Sequence, residues 1–265
     1  MNPSFSFATI VSISFSYFWG SAEKEKESLR SLKLLLFLIL LNSYSVISQT
    51  YSHNTFRGAT SIEKNISAKK AITLEYQHRR QSNLSNESLN IFSNLYLQSL
   101  RVGLRHTQED RYEFIVNPIS YFRKWPLLGK PEDIAIPVRN ELRFAVQGEL
   151  LKRIEKCRFQ LRGGYEYRLF FQKNDLIQRG RARSRIQFQY RFMENLGLNL
   201  YDEVFFETWP SKNQLTFGEN RSGTSLVFRR GNFRVEGGYV FIYTSRNSLE
   251  RDLEHGLVVS FALLL

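Results

Sequence analysis

Asn220 and Ser222 flank Arg221 in the run ENRSGTS, and in extended backbone residues two apart share a face. A serine hydroxyl on such a face is a candidate nucleophile for acyl transfer, and on this register both residues would face lipid, as a membrane lipid hydrolase requires. Such a site next needs a base. The four histidines, His53, His78, His106 and His255, are all distant from Ser222 in sequence, so His78 would have to arrive from another strand. A polar pair between neighbouring strands needs no such delivery and is the preferred reading. The histidines also lack metal-ligand spacing. Cys157 is the single cysteine, which excludes an intramolecular disulfide and a thiolate metal cluster. There is no GxSxG elbow, P-loop or GxGxxG run. No catalytic, metal or cofactor-binding residue is assigned.

The larger set of chemically capable side chains is ionic. In GRARSRIQFQYRFM, Arg181, Arg183, Arg185, Gln187, Gln189 and Arg191 alternate with Ala182, Ser184, Ile186, Phe188, Tyr190 and Phe192. In RFQLRGGYEYRLFF, Arg158, Gln160, Arg162, Glu166 and Arg168 alternate with Phe159, Leu161, Tyr165, Tyr167 and Leu169. A period of two means a strand with two unlike faces. Carried through the chain, this register puts Glu141, Arg143, Glu149, Arg162, Glu166, Arg168, Arg183, Arg185, Glu203, Arg221, Arg234 and Glu236 on one common face. Arginine's planar fork serves two carboxylates at once, which suits a crowded interior of ion pairs better than an open surface.

These residues need strands to position them. Alternating segments fall near 54–64, 70–80, 93–106, 111–121, 137–152, 156–170, 181–193, 196–208, 218–230, 232–244 and 253–265. Short turns (TQED, RIEKC, MENLG, RRGN) alternate with longer links (QSNLSNESL, RKWPLLGKPEDIA, QKNDLIQRG, WPSKNQLTFG). That rhythm predicts an all-β fold, an antiparallel up-and-down transmembrane β-barrel of 10 to 12 strands with a polar, Arg/Glu-rich lumen. Single-chain bacterial barrels have even strand counts, so ten or twelve is expected rather than eleven.

Aromatic placement indicates which face meets lipid. Tyr121, Phe122, Trp125, Phe170, Phe171, Trp209 and Tyr243 lie beside long links, and Tyr112, Phe192 and Phe233 beside short turns, as two interfacial girdles would. The last segment, HGLVVSFALLL, sets Leu257, Val259, Phe261, Leu263 and Leu265 on one apolar face, as expected of a closing strand. The Phe188 face is therefore expected in lipid and the Arg183 face in the lumen.

Residues 29–48 read as a secretory signal, with Arg30 and Lys33 ahead of the apolar run Leu34 to Leu41 and small polar residues up to Ser48. Residues 1–28 read as an upstream extension from a misplaced translation start, and 49–265 as the barrel domain. The net charge is +12, from 37 Lys and Arg against 25 Asp and Glu. The surplus fits an anionic partner, but arginines inside strands do not resemble a nucleic-acid footprint.

The segments VRNELRF, RARSRIQFQYRF, NLYDEVFFE, ENRSGTSLVF and VEGGYVF resemble, in order and spacing, those of the domain of unknown function 2490 family of Gram-negative outer-membrane proteins. The resemblance implies a β-barrel and brings no activity. The expected partners are outer-membrane lipids, lipopolysaccharide and the barrel-assembly machinery, with no nucleic acid and no cofactor. The expected function is non-enzymatic: a structural or binding role, or passage of small anionic solutes. A lumen plugged by salt bridges is the preferred reading, with a narrow anion-favouring passage or a pocket for an acidic ligand as the functional alternative. An outer-membrane lipid hydrolase and a soluble periplasmic lipocalin-like barrel are the competing classes.

Overall fold

The computed structural model describes residues 49–84, 90–109, 111–172, 175–208, 216–245 and 250–265. The signal segment and the upstream extension lie outside them. Eleven strands close into a barrel: β1 (Gln49–Ser67), β2 (Lys70–Gln81), β3 (Asn94–Gln108), β4 (Tyr112–Lys124), β5 (Arg139–Ile154), β6 (Cys157–Gln172), β7 (Asp175–Arg191), β8 (Leu196–Glu207), β9 (Thr216–Arg230), β10 (Phe233–Ser245) and β11 (Glu250–Leu264). Among the described residues one 3-10 turn, Pro131–Ala135, interrupts the strands. At 12 to 19 residues, the strands exceed the roughly 9–11 residues that cross a bilayer.

Ten neighbouring pairs are antiparallel, as hairpin connections require. The count is odd, contrary to the expected even number. Direction reverses at every hairpin, so the eleventh strand runs the same way as the first. Closure is therefore parallel, from Gln49↔Glu250 to Glu63↔Leu264. This seam makes a direct prediction. Adjacent strands lie about 4.8 Å apart, within the span of a disulfide. Gly58→Cys with Val259→Cys should oxidise to an intramolecular cross-link, whereas Gly58→Cys with Leu253→Cys should not. A mobility shift under non-reducing electrophoresis reads the result.

The link QKNDLIQRG proves to be mostly strand: only 173–174 separate β6 from β7, and β7 begins six residues before its pairing with β8. The five short turns gather at one end of the barrel. Among them, Gly231 holds a φ of +56°, a left-handed conformation that a residue without a Cβ adopts freely.

The exterior is apolar. Ile72, Leu74, Leu100, Phe114, Val146, Ile186, Leu226 and Leu257 all stand exposed on it. A continuous apolar surface of this extent on a folded chain marks a membrane or partner contact. Tyr112, Tyr121, Phe171, Phe192 and Phe233 are exposed near the strand ends, as the girdle reading expects. Three girdle assignments are corrected. Phe170, on the Arg168 face, lines the interior, as do Trp125 and Phe122, which is buried. Phe122 turns inward because Pro118 sits in a bulge between Asn117 and Ser120, which shifts the alternation of β4 by one residue. Before the bulge Phe114 and Val116 face outward; after it Ile119 and Tyr121 do. Trp209 lies outside the described residues.

Candidate functional site: the charged interior

Five consecutive strands each send two charged side chains into one layer at mid-barrel. They are Glu141 and Arg143 on β5, Glu166 and Arg168 on β6, Arg181 and Arg183 on β7, Glu203 and Glu207 on β8, and Glu219 and Arg221 on β9. Glu166 is the central node. Its Oε2 accepts from Arg181 Nε (3.0 Å) and Nη2 (2.6 Å), and its Oε1 from Arg183 Nη1 (3.0 Å). Arg143 stands 3.8 Å away. Arg183 Nε also donates to Glu203 (2.9 Å). Arg168 Nε donates to Glu141 (2.6 Å) and its Nη1 to Glu207 (3.1 Å), while Arg143 Nη2 donates to Glu141 (3.0 Å). Arg221 pairs with Glu219, which Arg181 approaches to 4.0 Å.

The layer holds five guanidiniums and five carboxylates, so it cancels internally. Aromatic rings set its position. Phe205 lies beneath Arg181 (4.4 Å), Arg221 (4.5 Å) and Arg183 (5.3 Å), and Phe122 beneath Arg143 (3.8 Å). Rings under cations hold planar forks while offering them no competing acceptor.

A second group staples the parallel seam from inside. His53 Nε2 lies 2.7 Å from Asp252, Thr55 donates to Glu254 (2.8 Å), and Arg57 Nε donates to Glu254 (3.0 Å). At the mouth opposite the short turns, the β4–β5 connection folds over the bore. Gln81 ties it down by donating to Pro126 O (2.7 Å) and accepting from Leu128 N (3.0 Å). Lys130, from the same connection, reaches Glu250 on β11 at 2.9 Å.

Towards the short turns the balance changes. Glu149 accepts from Arg162 Nε (2.7 Å) and Nη2 (2.6 Å). Glu236 is occupied by neutral donors, Asn199 Nδ2 at 3.2 Å and the Ser225 hydroxyl. Arg185 stacks 4.1 Å above the Tyr201 ring, and its buried Nε has no hydrogen-bond acceptor. The Nε of Arg234 has none either. Gly223 makes room for that ring, since a Cβ there would lie 2.4 Å from it.

All twelve residues singled out from the alternation face the interior, but they do not form one cluster. Seven join the balanced layer, Glu149 and Arg162 pair separately, Glu236 is held by neutral groups, and Arg185 and Arg234 lack carboxylate partners. Arg181, Glu207 and Glu219 also belong to the layer, outside the twelve, although each shares the alternation of one of them. Among the described residues the interior holds a cavity of about 1380 Å3, lined by nineteen Lys and Arg against fourteen Asp and Glu. Since the central layer is neutral, the surplus lies above and below it.

Asn220 and Ser222 are on the outer face. The Ser222 hydroxyl donates to Asp202 Oδ1 (2.6 Å), and Asn220 Nδ2 donates to the same atom (3.0 Å). His78 is on β2, four strands away around the barrel. His255, on β11, is engaged at Nδ1 by the Tyr239 hydroxyl (2.5 Å). Among the described residues no histidine contacts Ser222 or Asp202. The arrangement is a polar cluster across β8 and β9.

Residues 54–252, from early in β1 into β11, match the family model described as protein of unknown function (DUF2490). The chain belongs to that family. The match spans the entire central layer and both unpaired arginines. No curated protein matches the chain. Two solved structures are similar in fold. The translocator domain of the autotransporter NalP from Neisseria meningitidis shares 11% identity over 69% of this chain and 72% of its own, with a TM-score of 0.45. The NanC porin shares 8% over 74% of this chain and 90% of its own, with a TM-score of 0.42.

Proposed function

We propose that the protein is a non-catalytic barrel of a Gram-negative outer membrane whose interior is a narrow aqueous passage favouring small anionic solutes. Lipids and lipopolysaccharide surround its apolar exterior, and the barrel-assembly machinery inserts it. The observation that carries this reading is the interior: a cavity of about 1380 Å3 remains beside the ion-pair layer, and its lining has a basic surplus. A pure plug would leave no such space. A soluble barrel built to hold an apolar ligand requires the reverse arrangement, with charges outside and an oily core. The balanced layer then acts as the rigid wall of the constriction, and the unpaired arginines set the sign of the field.

Planar bilayer recording tests this. Under a salt gradient the purified barrel should conduct, with a reversal potential displaced towards that of chloride. Arg185→Glu together with Arg234→Glu should move it towards the cation side while the folded form persists on an unheated detergent gel. Silent bilayers would establish the plug, and a wild-type cation preference would show that the arginines do not govern the bore.

A further inference from the structure

Resting on the reading of the interior as an anion passage, we propose that Arg158, Arg229 and Arg234 form a binding site for a tetrahedral phosphoryl group at the short-turn mouth. Arg229 and Arg234 stand directly opposite each other on β9 and β10. Like charges in that position destabilise a sheet, so the pair needs an explanation beyond folding. Arg158 on β6 and Arg191 on β7 line the same end of the barrel and add to the repulsion that Arg229 feels. The Nε atoms of Arg158 and Arg234 are shielded from solvent without an acceptor.

The nearby carboxylates leave these needs unmet. Glu236 is held by Asn199 and Ser225, and Glu113 lies 3.8 Å from Arg158, beyond hydrogen-bond length. At mid-barrel, by contrast, every guanidinium of the layer has a carboxylate. An opposed arginine pair, with two shielded Nε groups that no carboxylate of the barrel hydrogen-bonds, is complementary to an external anion. Several planar forks converging on one point match an anion with oxygens on all sides, because each fork can grip two of them. Chloride offers no such directionality and a carboxylate offers only two oxygens. The chemistry is that of inorganic phosphate or of a phosphate monoester.

The test uses the full barrel in detergent micelles. Its thermal unfolding midpoint is followed against sodium phosphate, and against glycerol 3-phosphate, with sodium chloride at matched ionic strength. Ligand that binds only the folded state raises the midpoint saturably. Phosphate should do so where chloride does not, and a response to the ester as well would mark the phosphoryl group of a solute as the target. Arg229→Gln with Arg234→Gln should weaken the phosphate response at least tenfold while raising the midpoint in chloride, because a repulsion is removed. Arg158→Gln should weaken the response in the same direction. Arg139→Gln, at the opposite mouth, should retain it in full. An undiminished response in the double variant, equal responses to phosphate and chloride, or a lower midpoint of the double variant in chloride would overturn the site. Silent bilayers with an arginine-dependent phosphate response would defeat the passage and leave the site; anion conduction without that response would do the opposite.

Discussion

Replacing Glu166 by Ala should lower the stability of the barrel by about 3–5 kcal/mol, the usual cost of removing one partner from a buried ion pair. Glu166 is only 4% exposed. It takes hydrogen bonds from both Arg181 and Arg183 and faces Arg143 at 3.8 Å. Without it, three guanidiniums converge on a space that holds no counter-charge. Arg183 keeps Glu203, whereas Arg181 is left with Glu219 at 4.0 Å, where no hydrogen bond forms. Glu166→Gln should fall between, because a carbonyl oxygen can still accept from one fork. Denaturant-induced unfolding in lipid vesicles, followed by tryptophan fluorescence, measures the difference. Glu132→Ala, on the exposed 3-10 turn, is the reference and should change little. Equal stabilities of Glu166→Ala and Glu132→Ala would mean that the central layer does not hold the barrel together.

That layer was legible in the sequence because its logic is local. Arg183 and Glu203 follow the alternation of their own strands, and alternation is fixed by backbone geometry before any partner is known. What stayed hidden depends on contacts between strands. The seam pairs Thr55 with Glu254 and His53 with Asp252, residues almost two hundred positions apart, and no period within one segment reports them. The odd strand count was visible in the segments themselves, but a rule drawn from other barrels argued against it; the structure satisfies closure with a parallel pair instead. Phe122 was misplaced for a third reason. Pro118 shifts the phase of β4, and a single residue of slip exchanges the two faces of everything beyond it. The vacant arginines at the short-turn mouth were visible only as residues. That Arg229 faces Arg234, and that Glu236 is already occupied, are facts of register and packing.

Arginine introduced at Val146 or Leu257 should destabilise the barrel by about 2–4 kcal/mol in a bilayer, the cost measured for a basic residue on the lipid face near the membrane midplane. Both positions lie at the centres of their strands, β5 and β11, and they are 60% and 53% exposed. The same substitutions discriminate sharply between environments. On the surface of a water-soluble protein an exposed valine or leucine exchanged for arginine changes stability by no more than about 0.5 kcal/mol. A guanidinium facing hydrocarbon has no water to solvate it and must snorkel or thin the bilayer around it. Unfolding of each variant in lipid vesicles therefore reports what the exterior touches. Arginine at Ile66, exposed at the rim where β1 meets its short turn, should be tolerated, because interfacial water and headgroups reach it. A midplane penalty that vanishes at the rim follows from an apolar exterior seated in a membrane. Equal tolerance at all three positions would mean that the exterior is covered by something else.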